Sequence, residues 1–569
     1  MTRPLPDVMA STGSADHTLA GRQAAPRALL ATASVAVALA AADTYVVVLA
    51  LTDMMTGVGL GIDALQKATP IISGFLLGYV AVLPLIGRLA DLVARQRILL
   101  ACLAVFVVGS AITALSVELP VLITGRVLQG VGGGGLVPAT LALVADLWPA
   151  DRRGTPLGVV GAVQELGSVL GPVLGAAILA IADWRAIFWM NALLGVALAA
   201  GLVAAGRSRP RRPAGIPLAL GLGALVLGGL ALAAPEPLVT DVTLGVPFIP
   251  FGDSTSRVLT PVGVAALACT AGWAAVTVRR WSPLLRRADL VGALLLGAAL
   301  GSVILTFASS DPEREVVGPL GLALLPAGAV AAGLYTWRHR AAAEPLVPRG
   351  VVRGRTGTAL VVSLLVGAAL VAVVVDVPVL ARLTHTTSQT VAALVLVRFL
   401  IAVPVGALVG GWLLRRLGDG AVAGAGLLLA AAGLGVMSGW GNGSLERVDS
   451  TLVLVLVGLG VGLALAPVNN AALADSPQDA HGTASSLVVV ARMVGMVVGL
   501  ALLTAIGLHR YYQTVAALPN QTDAAALVAA GLVQVQTVFT GAAVAAGLGA
   551  LASVGLGLRR RAVHQLDQR

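Results

Sequence analysis

The chain has almost no lysine: of its 37 basic residues only Lys67 is one, and the rest are arginine. It has little charge of either sign (11% of 569 residues), few aromatics (4%), and two cysteines, Cys102 and Cys269. Each scarcity excludes something. A soluble domain carries about 25% charged residues, so a chain with 57% hydrophobic residues and a mean hydropathy of +0.94 is not one. Two cysteines, each inside an apolar run, provide neither a zinc cluster nor a disulfide framework. The six histidines (His17, His339, His385, His481, His509 and His564) are scattered without metal-ligand spacing. No metal or cofactor is expected, and an enzyme is the least favoured class. Scarce lysine beside abundant Ala, Gly and Val reflects a GC-rich genome rather than chemistry.

What is present is apolar length. Runs of about twenty apolar residues recur, enough for each to cross a bilayer as a helix. The first six span roughly 27–50, 67–87, 98–117, 120–147, 155–182 and 186–206. The last six span roughly 355–381, 388–412, 418–440, 450–474, 481–509 and 528–558. Four more lie between, near 216–234, 259–279, 289–309 and 317–337. The expected fold is an all-α polytopic membrane protein with two six-helix halves and about four central transmembrane helices. Fourteen spans plus a re-entrant middle pair is the alternative.

The net charge of +10 invites a nucleic-acid reading, but its placement does not support one. The arginines fall in alternate short loops: Arg88, Arg95 and Arg97; Arg152 and Arg153; Arg207, Arg209, Arg211 and Arg212; Arg279, Arg280, Arg286 and Arg287; Arg338 and Arg340; Arg415 and Arg416; Arg559 to Arg561. The opposite loops carry Asp53, Asp63, Glu118, Glu236, Asp241, Asp253, Asp311, Glu313 and Glu315. The positive-inside rule then places both termini in the cytoplasm. The expected division is a disordered cytoplasmic tail (1–26), a first half (27–206), a central linker (207–354), a second half (355–558) and a second tail (559–569). The outer loop 235–258, rich in Pro and Gly, reads as a small hairpin or an irregular cap. Segments 481–509 and 528–558 exceed what a roughly 30 Å hydrocarbon core needs, so they are expected to project outward.

Charges inside the apolar runs are costly and point to function. Asp43 sits in "LAAADTYVVVLALTDMM", about 24 Å along its helix from Arg27. Glu165 is a second such acid, and Arg492 stands alone in "ASSLVVVARMVGMVVGLALLTAIG". Arg492 cannot easily lose its proton, so it needs an acid, and Asp43 and Glu165 are the candidates. Arg126, about 9 Å from its helix's outer end, either snorkels to the interface or is buried for a purpose. Asp376 and Arg398 are each interfacial or paired with the other.

Several motifs resemble those of the major facilitator superfamily. "GRLADLVARQR" resembles its signature loop through Gly87, Leu89, Asp91, Arg95 and Arg97, with Ala94 in place of a second glycine; Arg88 is included in the candidate gating loop. Its acid can cap a neighbouring helix N-terminus or pair with an arginine in one conformation only, a gating role. "GRVLQGVGGGG" resembles the proton-antiporter motif through Arg126, Gln129 and Gly130. "AVQELGSVLGPVLGAA" resembles the exporters' antiporter motif through Gly167, Gly171, Pro172 and Gly175. "GGWLLRRLGDG" resembles a degenerate second signature loop in which Arg415 replaces the acid.

"ADTYVVV", "QELGSVLGP", "DWRAIFWMN", "VVVARMVGM" and "GLHRYY" extend the resemblance to the fourteen-helix drug–proton antiporter family. Within it they resemble a mycobacterial group of triacylglyceride exporters that works with a periplasmic lipoprotein. The resemblance implies export by alternating access, with an acid matching Asp43 and an arginine matching Arg492 facing each other across a central cavity, and an acid matching Glu165 also in the first half. It also implies that 287–350 is the family's linker pair and 209–283 an inserted one. The expected function is export of lipid such as acylglycerols from the inner leaflet of a bacterial plasma membrane, coupled to protons. The expected partners are lipid and an outer-face lipoprotein, not nucleic acid, and the expected state is a monomer. The alternatives are proton-coupled multidrug efflux and, less favoured, a membrane scaffold or receptor of the cell envelope.

Overall fold

The computed structural model describes residues 13–60, 65–205, 215–252, 254–308, 321–386, 389–520 and 523–558. Asp63, Asp253, Asp311, Glu313 and Glu315, the arginines from Arg207 to Arg212, and the tail 559–569 lie outside the described residues.

The first half is α1 (Gly13–Gly57), α2 (Leu65–Leu92), α3 (Arg95–Leu115), α4 (Leu119–Leu147), α5 (Gly154–Leu179) and α6 (Trp184–Ala205). The central region is α7 (Ile216–Ala233), the one-turn α8 (Glu236–Val239), α9 (Pro261–Arg287), α10 (Leu290–Ala308) and α11 (Gly321–Ala341). The second half is α12 (Arg355–Thr384), α13 (Gln389–Leu413), α14 (Asp419–Met437), α15 (Val448–Ala474), α16 (His481–Ala516) and α17 (Ala524–Ser553). No strand occurs among the described residues. Fourteen of these helices are long and apolar enough to cross a membrane. The other two long ones form the α10–α11 hairpin: α10 has a shorter apolar stretch, Leu290–Thr306, and α11 ends in Arg338, His339 and Arg340.

Three expectations change in detail. The tail expected to be disordered over 1–26 is helical from Gly13, where its described part continues α1 backwards; residues 1–12 lie outside the described residues. Loop 235–258 is the irregular cap and not a hairpin, built from the α8 turn and 3₁₀ turns at Val246–Phe248 and Arg257–Leu259. It docks on the first half where the Arg257 backbone N–H donates to Glu118 Oε1 at 2.7 Å. The last two helices run to 36 and 30 residues, about 54 and 45 Å, so α16 continues past the expected end at 509.

Each half has its own core. In the first, Ala33, Ala36, Phe75, Leu83, Leu103 and Phe106 are among the fully enclosed side chains. In the second, Val373, Phe399, Val457 and Phe539 play the same part. Between the halves, small residues let backbones touch at the arginine-rich ends of the helices, as is usual where lipid supplies no hydrophobic drive. A Cβ on Gly87 of α2 would lie 2.6 Å from the Gly482 carbonyl of α16. A Cβ on Gly154 of α5 would lie 2.6 Å from the Gly411 carbonyl of α13, and one on Gly158 the same distance from the Ala407 carbonyl. Ser485 Oγ of α16 donates to the Pro138 carbonyl of α4 at 3.2 Å. These contacts hold the halves together at that side. Gly482→Leu is therefore expected to hold them apart there, seen as a longer distance between spin labels on α2 and α16.

Candidate functional site: buried charges within and between the halves

Asp43 lies on the α1 stripe Ala36–Ala40–Asp43–Val47, whose residues are each no more than 1% exposed. This stripe faces the interior of the first half. The neighbouring stripe, Ala38–Ala42–Val46, packs against α5, and Gly167, Gly171 and Gly175 of the G-x-x-x-G-P-x-x-G motif meet those three residues in order. The glycine motif thus presses α1 onto α5 while turning Asp43 the other way, towards α4 and α6.

There Arg126 Nη1 donates to Asp43 Oδ2 at 2.6 Å. Asn191 Nδ2 of α6 and Gln129 Nε2 of α4 donate to Oδ1 at 2.5 and 3.3 Å. Arg126 also donates to Gln129 Oε1 at 3.0 Å and, through Nε, to the Ile71 carbonyl at 3.4 Å. Gln129 in turn donates to Ser110 of α3 at 2.9 Å and accepts from Thr113 at 3.2 Å. The guanidinium lies 4.5 Å from the centre of the Phe75 ring and 5.7 Å from that of Phe188. Arg126 is only 1% exposed, so it does not snorkel. Gly130 keeps α4 against α2, since a Cβ there would meet the backbone of Phe75 and Tyr79. Asn191 was missed in the sequence, although a lone amide in "IFWMNALLG" is a signal.

The expected facing of Asp43 and Arg492 is absent from this conformation, because the register of α1 turns Asp43 into its own half. Arg492 Nη1 instead pairs with Glu165 Oε1 at 3.4 Å, with both side chains nearly enclosed. Each residue lies eleven positions, about 16 Å, from the arginine-rich end of its helix, α5 or α16. This pair joins the two halves near mid-membrane. It borders a cavity lined by Gln164, Ser363, Asn469 and Arg492 among apolar residues such as Val137 and Val366.

At the arginine-rich side Asp91 meets the start of α16. It accepts from the Gly482 N–H at 2.6 Å, the Thr483 N–H at 2.9 Å and the Thr483 hydroxyl at 2.7 Å. These are free donors at the start of α16, where the helix dipole also favours a carboxylate. Arg95 steadies Asp91 (3.6 Å), reaches Asp146 (3.3 Å) and donates to the Ala90 carbonyl. Arg88 is buried and lies 3.8 Å from Glu344, whereas Arg97 is exposed. In the degenerate second loop, Arg415 does not stand in for the acid; Asp419, four residues on, pairs with Arg355 and accepts from Asn470 at 2.7 Å. That pair also went unread, because its acid stands outside the motif's register.

Asp91→Ala is expected to remove this cap at a cost of about 1–3 kcal/mol. A cysteine placed at Ser485 should then react with a water-soluble maleimide about ten-fold or more faster; an unchanged rate would mean that the cap does not hold the halves together.

Asp376 and Arg398 are not paired. Arg398 Nη1 donates to Thr451 at 2.9 Å, and Asp376 is 4% exposed. Among the described residues no group of three His, Cys, Asp or Glu could hold a metal ion.

Two bundles of apolar helices, with charges buried within and between them, define a polytopic membrane transporter. The family model of the Major Facilitator Superfamily matches residues 33–337 and 290–500, and the chain belongs to that superfamily. It is 37% identical over 501 residues to a triacylglyceride transporter of Mycobacteroides abscessus, covering 85% of this chain and 83% of that one. It is 36% identical over 512 residues to a triacylglyceride transporter of Mycobacterium tuberculosis, covering 87% and 85%. Among solved structures, a proton:xylose symporter aligns at a TM-score of 0.54 and 12% identity, covering 93% of this chain and 95% of that one. The human organic anion transporter MFSD10 aligns at 0.51 and 17%, covering 93% and 99%. Both show the fold alone.

Proposed function

We propose that the protein exports lipid of the acylglycerol class by alternating access, rocking its two halves about the cavity beside Arg492. The observation that carries this reading is the Glu165–Arg492 pair, an ionic contact between the halves at mid-membrane on the wall of a largely apolar cavity. With the positive-inside rule, the arginine-rich side is cytoplasmic, and so are both termini. The conformation is then closed towards the cytoplasm by Asp91, Gly87 and Gly158, and the next step opens that side. Protonation of Glu165 would release Arg492 and make that opening easier, which is the proposed point of proton coupling.

The Asp43–Arg126–Gln129–Asn191 cluster has a different role. Fully enclosed within one half, it fixes how α1 sits against α4 and α6. It is the rigid frame from which α5 presents Glu165. The α7–α9 hairpin is the inserted pair and α10–α11 the family's own linker: α10 lies along α2, where Gly297 meets Ala81 and Gly301 meets Leu77. The reading includes the bacterial inner membrane, an outer-face lipoprotein that receives the lipid, and a monomeric transporter. The relatives named as triacylglyceride transporters support the substrate class.

The test is lipid retained through purification. Mass spectrometry of the wild type is expected to find acylglycerols enriched over their share of the host membrane. Bulk phospholipid in host proportions would contradict the substrate assignment.

A further inference from the structure

We propose that Asp376 is a proton-binding site of the second half, occupied in this conformation, and that its carboxylate takes Arg398 as counter-ion once the proton leaves. The occupancy rests on geometry alone, and its use in transport rests on the proton-coupled reading above.

Every other enclosed acid described here has donors. Asp43 has Arg126, Gln129 and Asn191. Asp91 has the start of α16, and Glu165 has Arg492. Asp289 has Arg338 and the Leu346 N–H, and Asp419 has Arg355 and Asn470. Asp376 differs. It sits between Val373 and Val377 (each 0% exposed) and Leu380 (1%) in the apolar core of the second half. No donor among the described residues reaches its Oδ2. An unpaired carboxylate in such a place costs so much that the group takes a proton instead.

The charged groups on the helices packed against α12 are otherwise engaged or remote. On α13, Arg398 is held by the Thr451 hydroxyl. On α15, Asp449 is held by Arg447 at the exposed end. On α16, Arg492 is held by Glu165, and His481 lies at the far end of the helix. The outer turns of α16 carry His509, Arg510, Tyr511 and Tyr512, and α17 has no ionisable side chain. On α12 itself, Arg355 binds Asp419, Arg382 lies in the last turn, and His385 just beyond is paired with Glu446.

Arg398 stands out by depth. Asp376 is eight residues, about 12 Å, from the acidic-side end of α12; Arg398 is nine, about 14 Å, from the same-side end of α13. The two helices are neighbours. Thr451 is a neutral partner that a water could replace. When the helices separate enough to admit water, the proton passes from the carboxyl group to that water. The new carboxylate and the guanidinium then pair. This second site carries its proton within the second half, in addition to the coupling proposed at Glu165 between the halves.

The experiment is difference infrared spectroscopy of the full chain in lipid, titrated from about pH 5 to pH 9. The wild type is expected to show a protonated-carboxyl carbonyl band at neutral pH that is missing from Asp376→Asn. Arg398→Gln should shift the pH response of that band, since the counter-ion is lost. An identical band in Asp376→Asn, or no shift in Arg398→Gln, would overturn the proposal. The band separates this site from the transport reading: a wild type that shows it yet moves no lipid would refute the transport function and leave the proton site standing. If lipid does move, Asp376→Asn is expected to remove the part of the pH dependence of the rate that remains in Glu165→Gln.

Discussion

Asp43→Ala is expected to destabilise the protein by about 3–5 kcal/mol, because it strands the Arg126 guanidinium in a fully enclosed site. Gln129 and the Ile71 carbonyl are neutral and cannot compensate a full charge. Asp43→Asn should cost less, since an amide can still accept from one donor, though it leaves Arg126 unneutralised. The informative variant removes both charges. Asp43→Leu with Arg126→Met should recover most of the lost thermal stability, as replacing a buried pair by apolar side chains often does. Single and double variants compared by thermal unfolding in detergent separate a framing pair from a coupling pair. If Asp43→Ala unfolds at the wild-type temperature, the cluster does not frame the first half.

The second large effect falls on the pair between the halves. Glu165→Arg and Arg492→Glu are each expected to cut transport by about 100-fold, since each places like charges 3–4 Å apart across the cavity. The exchanged double variant should recover at least ten-fold over either single one, a coupling of about 1.4 kcal/mol or more. Equal loss in all three variants would mean that the residues act separately. Pairing Asp43 with Arg492 in the same way should rescue nothing in this conformation, because Asp43 is committed to Arg126.

The architecture was legible because a bilayer imposes length and charge rules on the sequence. Apolar runs and alternating arginines located the two halves and the four central helices within a few residues, though α1 starts further back and α16 ends further on. The intramembrane charges were legible as individuals: Asp43, Arg126, Glu165 and Arg492 all stand out in apolar runs. Their partnerships were not. Whether Asp43 faces its own half or the other depends on the rotation of α1, and that is set by where Gly167, Gly171 and Gly175 touch it. Hydropathy has no term for such a rotation. Asn191 was overlooked because one amide among aromatics is weak as a sequence signal and decisive only beside a carboxylate. The contact of Asp91 with a helix start was legible because a carboxylate beside a short inter-helix connection has few enclosed partners other than such free N–H groups. Asp376 and Arg398 invited pairing on depth alone, and the structure keeps them apart.

The most direct measurement is transfer of labelled triacylglycerol by the purified protein in proteoliposomes, run beside efflux of a cationic dye. Lipid export through the cavity next to Arg492 predicts transfer by the wild type and its loss, to less than about a tenth, in Arg492→Ala. Dye efflux that depends on a proton gradient, without any movement of lipid, would contradict it.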